Sequence, residues 1–518
     1  MGYITAKKSK LYINEEAIIL RGFGLGGWLL PEGYMWKLYT KCDRPRRMEA
    51  MIASLCGLEY EEQFWVKYYD SYITSLDIKL IAEEGFNSIR LPLNSRHLFT
   101  VDNGNVTFNE KILAYIDQCI HWCKEEGIYV ILDMHGAFGG QTGQNIDDSE
   151  DDKPNLFIDK NNQELLIHGW ELLAARYEKE TTVVGYDLLN EPLPKWHNQY
   201  NSMLLPLYRK LITAIRKIDK NHLIILEGLH WATDFSVFDE FTKEEAANNI
   251  MLQFHKYWNS PDAESIETYV NVARSLEVPL FMGEGGENNC DWYTMLFPML
   301  EREEISWSFW SYKKMDCMNS PITFPVPENW NWITQWIDGE RQLSKQEAIA
   351  IFDDLISKIQ SSKVNQKVIN ALKRMVPLTI PCEAYDFYDI VSNRQPGASF
   401  RITDPVTMLF PSGKEGDVNY ERYGGEEQPE SENLVVQLSE GDMVGYYFYS
   451  NTEHIQASIK LEGHGDLEVS CGSNVSYVLC SGKEKRLDIS LLCNTKGKNE
   501  IRLSCVTGKI LVDYIALR

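Results

Sequence analysis

The sequence predicts an α/β protein. A (β/α)8 TIM barrel spans residues 1–340, closing helices and a linker span 341–379, and an all-β, jelly-roll-like sandwich spans 380–518. Three observations carry this. Up to about residue 340, short β-rich apolar runs alternate with long amphipathic stretches, the pattern of parallel strands joined by helical crossovers. The β-rich runs number eight, which is the number that closes such a barrel. Beyond residue 380 only short β-like runs remain, separated by glycine, asparagine and charged turns.

In chain order the eight runs are AIILRGFG (17–24), FNSIRLPL (86–93), GIYVILDMH (127–135), VVGYDLLNE (183–191), HLIILEG (222–228), NIMLQFH (249–255), VPLFMGEG (278–285) and ISWSFWSY (305–312). Apolar residues at helical spacing lie between them, as in NSMLLPLYRKLITAIRKIDKN and AESIETYVNVARSLE. Insertions at 28–70 and 136–165 follow strands, so they belong to the C-terminal face of a barrel, where sites are built. The acidic stretch DDSEDDK (147–153) within one of them is expected to be a solvated loop. In CIHWC, Cys119 and Cys123 follow the apolar face of a helix and His121 points off it, so the group is expected to be structural rather than metal-binding.

A formal net charge of −24 disfavours nucleic-acid partners, because a polyanion is repelled at long range. No apolar run reaches the ~18 residues of a membrane helix, and the charged N-terminal stretch does not resemble a signal peptide. Eleven scattered cysteines suit reduced thiols, and the chain reads as cytoplasmic. GFGLGG (22–27) satisfies G-x-G-x-x-G, but WLLPEGYMWK follows where a dinucleotide site needs a helix. A tight loop that lets Trp28 approach a site is the better reading.

Two strand tips carry glutamates in polar company, Glu191 in LLNEP and Glu284 in FMGEGG. On a barrel, the fourth and seventh strands bring such residues to one cavity from opposite sides. Paired carboxylates equip a site for glycosidic cleavage, with one group protonating the leaving oxygen and the other attacking or activating water. Trp28, Trp231, Trp258 and Trp310 fall at or beyond strand ends, where aromatic faces pack on sugar rings.

These residues resemble glycoside hydrolase family 5 over roughly residues 10–340: Arg90 in SIRLP, His135 in DMHG, Asn190-Glu191 in LNEP, His255 and Tyr257 in FHKYW, Glu284 in MGEGG, and Trp310 in SFWSY. The resemblance implies a retaining hydrolase with Glu191 as acid/base and Glu284 as nucleophile, needing no cofactor or metal. Tyr257 is expected to share a strand face with His255 and to hold the Glu284 carboxylate. RGFGLGGWLLPEG and DMHGAFGGQTGQN look like the exo-β-1,3-glucanase branch. The implied substrate is a β-linked gluco- or manno-configured oligosaccharide, with exo-β-1,3-glucanase or transglycosylase action as alternatives.

CEAYDFYD, EGDMVGYYF and KNEIRLSCVTGKILVDYIAL resemble carbohydrate-binding modules of families 6 and 35. Tyr385 replaces an acidic residue of the opening element, against a calcium site at Glu383 and Asp513, and Met443 replaces a tryptophan. This domain is also the expected surface for a homo-oligomer.

Overall fold

The computed structural model describes residues 1–39, 41–482, 484–495 and 497–518. Its parallel barrel is closed by eight strands: β1 (Arg21–Gly24), β2 (Ser88–Asn94), β3 (Tyr129–Gly136), β4 (Val183–Asp187), β5 (Leu223–Glu227), β6 (Ile250–Lys256), β7 (Leu280–Gly286) and β8 (Ser306–Trp310). β8 pairs with β1, Trp307 opposite Arg21, which completes the ring. The strands are buried almost throughout, so their near-continuous apolar character follows from helices covering the outside.

Those helices include α1 (Pro45–Cys56), α2 (Leu58–Tyr72), α3 (Ser75–Glu83), α4 (Glu110–Glu126), α5 (Lys160–Tyr177), α6 (Leu204–Ile218) and α7 (Glu267–Leu276). On α4, Cys119 and Cys123 are buried while the His121 side chain is 60% exposed, as the helical spacing requires. Among the described residues no helix is long and apolar enough to cross a membrane.

Inside the barrel, side chains ascend at a period of two. Tyr129, Ile131, Leu223, Ile225 and Met251 form the apolar floor. A short antiparallel sheet over Thr5–Ile18 covers it, with Ile4 and Leu11 buried in the same cluster. One step higher on β3, β5 and β6 the same rows carry Asp133, Glu227 and Gln253, and the next step on β3 and β6 brings His135 and His255. The floor stabilises the barrel and the top carries the polar chemistry.

A second compact unit comprises residues 257–267, 286–303 and 365–518. It contains α8 (Cys290–Arg302), which packs on α10 (Gln366–Lys373); α9 (Lys345–Gln360) lies in the first unit. Buried Arg374 organises this packing: it donates to the carbonyls of Thr294 (2.9 Å) and Ala384 (2.7 Å) and pairs with Asp386. The rest is an antiparallel, sheet-rich domain of nine connected strands.

IQASIKLEG and LEVSCG, which look like two short runs parted by glycines, are one strand, β9 (His454–Cys471). EIRLSCV and KILVDYIAL are likewise one strand, β10 (Lys498–Leu517). The intervening glycines mimic turns, but Gly463 (φ 129°) and Gly465 (φ 144°) instead let a continuous strand bulge, with register shifts at Lys460/Leu461 and Asp466/Leu467.

DDSEDDK is not simply a solvated run. Asp147 and Asp148 are buried, because Asp147 accepts from the backbone N–H groups of Thr142 and Gly143 while Asp148 takes the N–H of Arg46 and pairs with Arg96. Only the later residues of the stretch face solvent.

Candidate active site

Arg90, on β2, is fully buried beneath the mouth of the barrel and fans out to five side chains. It donates to Glu284 (2.6 Å), Asp187 (2.8 Å), Glu227 (3.0 Å) and the Asn190 side-chain oxygen (2.7 Å), and it lies 3.1 Å from Asp133. Burial opposes its charge, yet the surrounding carboxylates hold Arg90 well above its ordinary pKa. A guanidinium suits this place because its donors are rigid and its charge is permanent.

β4 ends at Asp187, so Glu191 is delivered not by the strand but by the turn beyond it. That segment is pinned at every step. The Trp170 indole donates to Leu188 O (3.1 Å), Asn190 N to Met134 O (3.1 Å), and the Gln141 amide to Asn190 O (2.9 Å). Glu191 has φ 44°, a left-handed conformation uncommon for a residue with a Cβ, and its N–H donates to Glu227 Oε2 at 2.6 Å. After β5, three consecutive residues, His230, Trp231 and Ala232, also have positive φ, and His230 N–H donates to the carbonyls of Pro192 and Leu193 at 3.1 Å. The two turns therefore brace each other.

His255 stands between the glutamates: its Nδ1 lies 2.7 Å from Glu191 Oε1 and 3.5 Å from Glu284 Oε2. Burial alone would push this imidazole down, but the carboxylates of Glu227 and Glu284 hold it well above the usual histidine range. Burial pushes Glu284 up, against the opposing pull of His255 and Arg90. Glu227 goes the other way: burial would raise it, and the neighbouring His255 and Arg90 outweigh that and lower it. Burial raises Asp133 to about 8 and also raises Asp187, so the cluster does not carry four full negative charges at neutral pH.

His135 hydrogen-bonds Asp133 through Nδ1 (2.7 Å) and stacks on the Trp310 indole at 5.2 Å and 8°. Burial lowers its pKa to about 4, so it is neutral above that range. The GFGLGG loop serves this ring pair. A Cβ at Gly24 would sit 2.4 Å from the Trp310 ring and one at Gly26 2.7 Å from it, so the glycines make room for Trp310. Trp28 does not approach the site. It is fully buried, donates to Tyr69 O (2.9 Å) and meets Tyr115 edge-on, because α2 and α4 cover it.

Trp231 is half-buried on its left-handed turn, its ring 6.0 Å from that of Trp196, which is 59% exposed. β6 ends at Lys256, so Tyr257 lies one residue past the strand that was to share its face with His255. Tyr257 and Trp258 belong to the second compact unit, with rings 5.2 Å apart and Trp258 also against Tyr423 at 4.5 Å.

Arg90, His135, Asn190, Glu191, His255, Glu284 and Trp310 are thus brought together. Sequence reading missed Asp133, Asp187, Glu227 and Gln253. The period-two rows hold the signal for three of them: Asp133 precedes His135 by two, Gln253 precedes His255 by two, and Glu227 continues Leu223 and Ile225.

Oxygen and nitrogen atoms of Glu191, His255 and Glu284 lie within 4.8 Å of one another, the one such potential metal-ligand group among the described residues. Those atoms already serve each other and Arg90. Glu383 and Asp513 form no such group. Tyr385, where the opening element would place a second acid, is covered by the Arg401 guanidinium at 3.6 Å, and Asp513 pairs with Lys460 at 2.9 Å.

Residues 49–316 match the family model described as Cellulase (glycosyl hydrolase family 5). The chain belongs to glycosyl hydrolase family 5. Among curated relatives of this family 5 chain, a beta-xylosidase of Phanerodontia chrysosporium is 30% identical over 60% of this chain and 71% of its own. Endoglucanase C of Acetivibrio thermocellus is 25% identical over 49% and 88%. A probable glucan 1,3-beta-glucosidase A of Emericella nidulans is 27% identical over 53% and 69%. As a family 5 protein, the chain is a glycoside hydrolase.

Proposed function

We propose that the protein is a retaining β-glycoside hydrolase acting on gluco- or manno-configured oligosaccharides by double displacement, with Glu284 as nucleophile and Glu191 as acid/base. One observation carries the reading: one carboxylate oxygen of Glu191 and one of Glu284 lie within 4.8 Å of each other, with His255 Nδ1 2.7 Å from the first group and 3.5 Å from the second, which favours the closer, retaining spacing. Retaining sites hold their carboxyl groups about 5–5.5 Å apart, whereas inverting sites leave about 6.5–9.5 Å for a water.

In the first step Glu284 attacks the anomeric carbon as Glu191 gives its proton to the departing glycosidic oxygen, leaving a glycosyl-enzyme ester. In the second, Glu191 takes a proton from water, the oxygen bonds to the anomeric carbon, and the ester bond to Glu284 breaks. Arg90 and His255 oppose the effect of burial on Glu284 and so favour the ionised, attacking form. The Asn190 oxygen is taken by Arg90 and its amide nitrogen lies 3.5 Å from His135 Nε2, so the amide's second N–H is the one offered to the sugar 2-hydroxyl.

Relatives named as glucan 1,3-beta-glucosidases favour exo-β-1,3-glucanase action as the second reading. A retaining transglycosylase would share the machinery. A panel of aryl β-glycosides and β-1,3- and β-1,4-linked gluco- and manno-oligosaccharides tests the class, with anomers read by proton NMR. A β-anomer as first product is expected, and Glu284→Gln should abolish turnover. An α-anomer first, or undiminished hydrolysis by Glu284→Gln, overturns the mechanism.

A cytoplasmic location is part of the proposal and rests on the sequence, whose eleven cysteines are scattered without an extracellular framework. The C-terminal domain is read as carbohydrate-binding-module-like on its strand motifs, and its retention on insoluble glucan or mannan tests that.

A further inference from the structure

Glu227 is fully buried at the tip of β5, and nothing in the double displacement uses it directly. Its two oxygens nonetheless do different jobs. Oε2 accepts the N–H of Glu191 at 2.6 Å, the hydrogen bond that holds the left-handed backbone of that residue. Oε1 accepts from Arg90 (3.0 Å) and from Gln253, and faces His255 Nε2 at 3.4 Å. The same imidazole presents Nδ1 to the Glu191 carboxyl at 2.7 Å. Tyr208 Oη donates to the Glu227 carbonyl at 3.0 Å and secures the tip itself. Among the described residues, the other titratable or charged groups that interact with this carboxylate include Arg90, Asp133, His135, Asp187 and His255.

We infer that Glu227 is the positioning residue of the acid/base: one oxygen pins the Glu191 backbone, and the other orients the His255 ring that holds the Glu191 carboxyl. The inference rests on the reading of Glu191 as acid/base. A left-handed backbone at a residue with a Cβ is unfavourable and persists only where the surroundings impose it. Here a buried carboxylate supplies that constraint from beneath. Its lowered pKa, set by His255 and Arg90 against the effect of burial, keeps it an acceptor for the Glu191 N–H.

The prediction separates this role from general structural support. Proton donation matters when the leaving group is a poor one, such as an alkoxide, and little when it departs unaided, such as dinitrophenolate. Glu227→Gln keeps the shape and removes the charge. Its kcat/KM should fall about 10²-fold on an alkyl β-glycoside of the preferred sugar. On the dinitrophenyl β-glycoside of the same sugar it should fall less than about 3-fold. Azide should then raise turnover of the activated substrate and give the glycosyl azide, because a displaced acid/base no longer activates water for the second step.

Glu191→Ala is run beside it. If that variant fails to discriminate the two leaving groups, the assignment of Glu191 is what falls. If it discriminates and Glu227→Gln loses equally on both substrates, or loses on neither, the role of Glu227 is overturned. Should Glu227→Gln not fold, Glu227→Asp replaces it; the charge stays while the carboxylate retracts from Glu191 N–H, and the same discrimination is required.

Discussion

His255 holds more of the site's electrostatics than its single ring suggests, since it touches both glutamates and faces Glu227. A cation 3.5 Å from Glu284 lowers the pKa that burial raises, so it widens the pH range in which the nucleophile is ionised. Because the net direction for Glu284 is upward, the acid limb of kcat/KM should lie above pH 4.5, the ordinary glutamate value. Removing the cation in His255→Asn should move that limb higher, measured from the pH dependence of kcat/KM on an activated aryl glycoside. An unmoved limb would mean Arg90 alone sets the nucleophile. Trp28 shows the opposite kind of residue. Its burial among α2 and α4 side chains makes it a stability position, and Trp28→Ala should cost about 3–5 kcal/mol in chemical denaturation while the folded fraction keeps its specific activity.

At the scale of the element, the glycine-rich turn after β1 is where sequence and structure diverge most usefully. The sequence shows that backbone must come close to something there, and GFGLGG is legible as a tight loop. It cannot show that the close neighbour is Trp310, from the far end of the barrel, because that contact exists only once β8 pairs with β1. Gly24→Ala should therefore push the Trp310 ring away from His135. The expected result is kcat/KM down by about 10²-fold. Overpacking should also destabilise the fold by about 1–3 kcal/mol, read by thermal melting.

The barrel strands were legible for a plain reason: each is a buried parallel strand and reads as a continuous β-branched and aromatic run. The exact end of β4 was not, since Leu188 and Leu189 extend the apolar run past Asp187 into an irregular turn. The polar tier of Asp133, Asp187, Glu227 and Gln253 was hidden because single polar residues inside apolar runs carry no local signal of their partners. Asp133 and Gln253 surface when the period-two rows are read downward from His135 and His255, and Glu227 when the row of Leu223 and Ile225 is read upward.

Across the whole molecule, an excess of acid, 75 Asp and Glu against 51 Lys and Arg, leaves several carboxylates buried without a matching cation, and Glu383 is the clearest. In the second unit it borders a cavity of about 110 Å³ with Asp291 and Asp513, and one of its oxygens has no hydrogen-bond partner among the described residues. Burial, with Asp291 and Asp513 adding to it, raises its pKa from 4.5 to about 8. For an acid the sign follows directly: the folded state binds the proton more tightly than the unfolded chain. Stability is then fully present below pH 4.5 and is lost as pH rises from there through about 8. Glu383→Gln keeps the shape of the protonated acid and removes the titration. The variant should match the wild type at pH 4.5 and exceed it by about 4 kcal/mol at pH 8, on the order of 1.4 kcal/mol for each pH unit crossed. Thermal melting across pH 4.5–8 measures this. A wild-type and a variant curve that run parallel would show that Glu383 ionises in the folded domain as freely as in water.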